Sequence, residues 1–553
     1  MWYADILEKL LIGRAEGWEV RQLISNPSWP VATLLVLAAA AEIHAARPSP
    51  AGVAQRIDAA IASEVFDGST ELAPPADDAT FLRRMYLDLV GDIPAPEQVI
   101  AFALDAAPDK RRRVILQLLD SREYGQNWAL YWRDVVFFRA QNDRALAAAS
   151  AMEADMARRL NQGDGWDEIA AEFVTARGDV REQGNTAIIM AQDARTEETT
   201  AEISRIFLGI QIQCAQCHDH PYDRWKREEF HQLAAFFPRV GVRGVRNLTK
   251  RSFEIYGNDR YGRQPPRNDN NNRPKAEHRM PDLEDPSAPG KVMQPKFFLT
   301  SASLPEGTSD YERRRQLANW LTENKWFAIA LVNRIWSELV GEGFYEPVDD
   351  IGPDREATSL QAVELLARAF RESGYDVKWL METVCLTEAY QRDSRPRRGT
   401  EDVPFTANVP QPLRSDQLFN ALLSALEVDE GRNPARVRIR ERRQFAQIFG
   451  YDPSQARDSI SASIPQMLAL MNSQRINRSI VASKTSLIKR LLKEVPDDKE
   501  LIVELYLRCL NREPSENELT QLVSYRKKVG NRTQAFEDLL WALLNSAEFR
   551  HRR

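Results

Sequence analysis

Apolar residues recur at helical spacing along most of the chain. Ile57, Ile61 and Val65 share one face, and Leu82, Met85, Tyr86 and Leu89 share another, the three-and-four spacing of an amphipathic helix. Asp92-Ile93-Pro94-Ala95-Pro96-Glu97 predicts a helix stop, a turn and a new start, because proline suits the first turn of a helix. Val114, Leu116, Leu118 and Leu119 continue the pattern. Trp128, Leu130, Trp132, Val135 and Val136 predict an aromatic-rich core helix, and the alanine-rich stretch 145–160 is helical by propensity. The period changes to two at Val240–Val245 and again at Ser252–Tyr256, which predicts one small hairpin. A second helical block runs from about Asp310 to the end. Proline- and arginine-containing loop sequence interrupts it at 391–412, and a basic stretch interrupts it near 433–455.

Between the blocks, residues 257–290 hold Asn268, Asn270, Asn271, Asn272, six prolines and few large apolar side chains. Such a stretch reads as a long polar linker. The expected architecture is mostly α, with two helical domains joined by that polar loop and at most a small β-hairpin before it. The boundaries are a leader at 1–50, a first domain at 51–256, a linker at 257–295 and a second domain at 296–553. Within the leader, the run Val31–Ala41 has the length of a signal-peptide core. It follows Arg21, with small residues at Ala39, Ala41 and Ala45 suited to a cleavage site. The expectation is export to the periplasm or cell surface, against the alternative of an ordinary buried helix. No apolar run reaches the length of a permanent membrane anchor, so none is expected after processing.

Composition narrows the class only a little. The chain has 74 Lys and Arg against 80 Asp and Glu, a net charge of −6 over 553 residues. That balance argues against nucleic-acid binding driven by bulk charge. The basic stretch Arg432–Arg443 carries six arginines but no aromatic until Phe445. It reads as a solvated face or a contact for an acidic partner, and no nucleic acid is expected. Four cysteines in this length do not make a disulfide framework.

Two of those cysteines carry the chemistry. Gln211-Ile212-Gln213-Cys214-Ala215-Gln216-Cys217-His218-Asp219-His220-Pro221 contains C-x-x-C-H, the attachment pattern of a c-type haem. Thiols three positions apart can each add to a porphyrin vinyl group, and the following His218 projects its imidazole at the iron. Three readings compete. The first is covalent haem c on Cys214, Cys217 and His218. The second is a zinc site, with Cys214 and Cys217 as one half and His218, His220 or His231 completing it. The third is a local disulfide or a pair of plain thiols. For haem, Met280, Met293 and His278 are the downstream candidates for a sixth ligand, while His231 also fits a hydrogen-bonded histidine at a core edge. Cys385 and Cys509 lie in apolar helical contexts and read as buried, inert thiols.

The stretch Ile206–Gln213 running through the motif to Pro221-Tyr222-Asp223-Arg224-Trp225 resembles the planctomycete cytochrome-like domain, a domain of unknown function. Phe81–Gly91 and Tyr124–Trp132 are similar to its N-terminal motifs. Leu317–Thr322, Val332–Trp336, Glu346–Asp350 and Asp538–Phe549 resemble the planctomycete-specific domain that usually follows it. The resemblance implies an exported, haem-containing protein and leaves the substrate unspecified. Where the family tends to carry Asn-Pro-Pro-Ser-His-Pro after its paired aspartates, this chain reads Gly352-Pro353-Asp354-Arg355-Glu356-Ala357-Thr358-Ser359, without the histidine.

Asp349 and Asp350 are adjacent carboxylates after Pro347, suited to binding a cation, to acid–base work or to capping the next helix. Asn333 and Arg334 read either as a sugar or haem-propionate contact or as structural residues of a helix. The functional expectation is an exported c-type-haem protein in electron transfer, serving a partner oxidoreductase. The alternative is a non-redox surface or polysaccharide-binding protein with a structural zinc.

Overall fold

The computed structural model describes residues 47–246, 251–259, 277–305, 307–397, 402–428, 434–455, 479–483 and 486–553, with positions 399, 466 and 477. The proposed signal segment Val31–Ala41 lies outside the described residues. The chain is predominantly α. Helix starts follow from side-chain capping: Asp77, Ser121, Ser309, Asn324, Ser359 and Asp376 each accept a backbone N–H of the turn that follows, satisfying donors that the helix itself cannot. At the predicted stop, the chain widens into a π turn over Tyr86–Val90 and reverses at Gly91. It re-enters a helix, Pro96–Leu104, with proline in the first turn.

The hairpin forms as Val240–Arg246 against Arg251–Gly257, antiparallel, with Val242 opposite Ile255. Its outer edge is covered by a two-residue strand, Gly178–Asp179, paired to Ile255 and Glu254. Two residues carry no periodicity, so sequence gave no sign of that third strand. The basic stretch expected to interrupt the second block is itself helical over Pro434–Phe449. Proline opens it and arginine is a good helix former.

The polar segment does not separate two cores. One continuous cluster of buried apolar side chains draws on both sides of it, including Ile57, Phe81, Trp128, Trp166 and Phe207 from before it and Phe327, Trp336, Leu366 and Leu380 from after it. Helix Pro50–Glu64 packs on Leu360–Glu372 and Val377–Cys385, and Thr196–Leu208 packs on Lys325–Val340. An aromatic series crosses the divide: Trp132 stacks on Trp166 at 4.5 Å, Trp166 meets Phe207 at 5.9 Å, and Phe207 meets Phe327 at 6.5 Å. A second core joins Leu87 and Ile93 to Leu418, Leu422, Leu501, Leu505 and Leu540 of the C-terminal helices. Because the helices on either side of the linker present apolar faces to each other, each half removes the other's core from water.

Buried arginines reinforce these contacts. Arg314 pairs with Asp310 at 2.8 Å and donates to the carbonyls of Val174 and Ala176. Arg552 pairs with Asp88 at 2.9 Å. Cys385 and Cys509 are both buried, and burial pushes the Cys509 thiol up to about 12 and that of Cys385 well above its ordinary value. They are the inert thiols expected.

Candidate functional site

The C-x-x-C-H residues follow directly from the C-terminus of the Thr196–Leu208 helix. Gly209 ends that helix in the left-handed conformation, φ +66°. A Cβ there would lie 2.7 Å from the Ile351 side chain, so only glycine permits the approach. Ile210 and Ile212 are buried and draw the chain against the core. Gln213–Gln216 then makes one 3₁₀ turn in which Ala215 is fully buried. Cys214 and Cys217 are left exposed and free of any disulfide.

His218 is exposed, and its Nδ1 lies 2.7 Å from the carbonyl oxygen of Asp219. A carbonyl only accepts, so the bond places a proton on Nδ1 and leaves the lone pair to Nε2. That is the tautomer a metal-ligating histidine uses, with its other nitrogen donating to a carbonyl. The remaining candidates are engaged elsewhere. The Nδ1 of His220 accepts the N–H of Asp223 at 3.0 Å and lies 3.1 Å from that aspartate's carboxylate. His231 is buried beneath the turn, where Nε2 lies 3.0 Å from the Gln216 carbonyl and Nδ1 lies 2.8 Å from Nε2 of His278. Burial holds its pKa down to about 4, so the ring is neutral. Nε2 therefore donates to Gln216, and Nδ1 accepts from His278. Both nitrogens of His231 are thus committed.

Met293 is buried, with its N–H donating to the carbonyl of His278 at 2.9 Å. Met280 is half-buried in a two-residue strand, Arg279–Met280, paired with Lys291–Val292. Neither is assigned as a sixth ligand. Among the described residues, no three of His, Cys, Asp and Glu are grouped to hold a metal ion.

The second set of candidates is structural. Asp349 is fully buried, 2.8 Å from the Arg205 guanidinium and 3.5 Å from that of Arg334, and it accepts the Gln211 amide at 3.0 Å. Burial alone would raise its pKa, but the two guanidiniums outweigh it and hold the carboxyl below its ordinary value. Arg205 also donates to Glu202, Ser454 and the Val135 carbonyl. Arg334 also lies 5.9 Å from the Trp132 ring. Asn333 uses its amide to hold the loop after its own helix, donating to the carbonyls of Tyr345 and Val348 and accepting from the Tyr345 N–H. Asp350, next in sequence to Asp349, faces outward and pairs with Arg355 at 3.2 Å. Sequence reasoning missed Arg205, Arg355, Asp223 and Asp354, whose partners lie more than a hundred positions away or gain meaning only when the two halves meet.

A separate cleft of about 300 Å³, lined by residues including Asp67, Glu71, Glu342, Arg395 and Arg397, shares no residue with the turn.

Together these observations define a predominantly helical protein that presents a C-x-x-C-H turn at its surface, with the second half of the chain packed behind it. Residues 56–241 match the family model PSCyt2, a protein of unknown function (DUF1549), and residues 313–430 match PSD1, a protein of unknown function (DUF1553). The chain thus carries these two domains of unknown function in that order. No curated protein and no solved structure shows a significant match to it.

Proposed function

We propose that this is an exported protein that binds a c-type haem through Cys214 and Cys217, with His218 as an axial ligand, and that it acts in electron transfer with a partner oxidoreductase. One observation carries the reading. Within five consecutive residues stand two exposed, unpaired thiols and an exposed imidazole whose Nδ1 is tied to a carbonyl. The donor set therefore fits the group. Bound haem supplies reversible one-electron chemistry, with a potential set by its ligands and surroundings.

The chain's own residues do the rest. The two thiols would hold the porphyrin as thioethers to its vinyl groups, and the Asp219 carbonyl orients the His218 ring. His231 holds the Gln216 carbonyl from below, keeping the peptide between the thiols in place. Export is supported by the sequence of the leader. Among the described residues, no helix is long and apolar enough to cross a membrane. The zinc alternative would need donors beyond Cys214 and Cys217, and both ring nitrogens of His231 are already engaged.

The test is expression with the leader in a host that matures c-type cytochromes, followed by absorption of the denatured protein and intact mass. The expected result is a haem that survives denaturation, adds one porphyrin mass and disappears in Cys214→Ala/Cys217→Ala. A colourless protein from that host would overturn the proposal.

A further inference from the structure

Seven consecutive residues of the second half, 349–355, grip the C-x-x-C-H turn at both ends. On the entry side, the Ile351 N–H donates to the Gly209 carbonyl at 2.8 Å, and Gln211 donates its amide to Asp349 at 3.0 Å. On the exit side, the Arg355 guanidinium bridges Asp223 at 2.7 Å and Asp350 at 3.2 Å. The Arg224 guanidinium reaches both oxygens of Asp354 at 2.9 and 3.0 Å, and its backbone N–H meets the same carboxylate at 3.0 Å. Between the two ends, the Trp225 indole lies over Gly352 and edge-on to Phe298, with ring centroids 4.9 Å apart.

An isolated surface ion pair does little, because solvent screens it and side-chain entropy opposes it. This set differs in kind. Two of its bonds involve backbone N–H groups, the Asp223 side chain is only 7% exposed, and all of its partners lie on one short segment. Fixing a loop at both ends removes the freedom of everything between them. What lies between Gln211 and Asp223 is the turn with Cys214, Cys217 and His218.

We infer that residues 349–355 are positioning residues for that turn: Asp349, Asp354 and Arg355 set how the two thiols and the imidazole are presented, so the second domain completes the site of the first. The consequence for haem attachment rests on the function proposed above, whereas the fixing of the turn does not.

The experiment uses the full chain and the exposed pair Arg224–Asp354, whose replacement leaves the core untouched. Deuterium exchange of the backbone amides over 213–226 is measured in the haem-free chain as wild type, Asp354→Arg, and the swap Arg224→Asp/Asp354→Arg. Opening of the turn should speed exchange there roughly fivefold in Asp354→Arg, with unchanged exchange in helix Lys325–Val340, and the swap, which rebuilds the ion pair but offers no acceptor to the backbone N–H of residue 224, should recover part of it. Covalent haem per chain, from the maturing host, should fall and recover in the same order. Unchanged exchange in Asp354→Arg, or a rise that the swap does not lessen, would overturn the inference, even if every variant carries haem. Local exchange that rises and recovers in a chain that never takes haem would uphold the positioning role and remove only the haem reading.

Discussion

The turn at 213–220 and the cluster around Asp349 both gather polar, chemically able side chains and treat them in opposite ways. In the turn, the reactive groups face solvent and the small residue Ala215 faces the core. In the cluster, Arg205, Arg334 and Asp349 are all at least 97% buried and satisfy one another. A thiol or imidazole that must meet an outside partner has to keep a lone pair uncommitted. A buried charge has to do the reverse, because an uncompensated ion in the interior carries a large desolvation cost. Chemically suggestive residue types therefore say little until their partners are known, and exposure separates the two cases here.

The strongest way to break this contrast is Asp349→Asn. The substitution keeps the shape but leaves the Arg205 and Arg334 guanidiniums facing a neutral amide in the core. Removing one partner of a buried ion pair typically costs about 3–5 kcal/mol. A chemical denaturation curve should show a loss of that order, and a loss under about 1 kcal/mol would show that solvent or other groups compensate the arginines.

The next effect is smaller and comes from beneath the turn. His231 has its pKa lowered from 6.5 to about 4 by burial, with Arg227 acting in the same direction and the Gln216 carbonyl opposing both. The unfolded chain takes up that proton in a window where the folded chain refuses it. Stability is therefore lost as pH falls from about 6.5 to about 4, on the order of 3 kcal/mol from this group. His231→Gln keeps a donor for Gln216 but does not titrate. Its unfolding free energy should fall less steeply across that window than wild type, and parallel curves would show that His231 is not the titrating group.

Local patterns were legible where chain neighbours decide the structure. Ile57 and Ile61, the stop at Asp92–Glu97 and the alternation at Val240–Val245 are fixed by periodicity and by proline, and the helices and hairpin appear there. The thiol pair and His218 were legible because their spacing along the chain is itself the signal. What was not legible depends on distance. Arg205 meets Asp349 across 144 positions, and His231 meets His278 across 47. The polar segment 257–295 looked like a divider because few of its residues are apolar. His278 and Met293 within it are nevertheless buried, and the helices on its two sides share one core. Polarity along a segment reports how it is solvated, not whether the elements it connects pack together.

The smallest effect is the sharpest control. Asp350 differs from Asp349 by one position and by the direction it faces: its side chain is 28% exposed and, among the described residues, its ion pair is with Arg355. Arg355 keeps a second carboxylate, Asp223, at 2.7 Å, so Asp350→Asn leaves no buried charge alone. Its cost should be under about 1 kcal/mol, as for other exposed pairs, and should shrink further in high salt. The two variants measured side by side in the same denaturant series then compare burial and partners, since residue type and substitution are the same. Equal losses would mean that the paired aspartates act as one unit, and the division between a buried cluster and an exposed turn would have to be redrawn through Arg355.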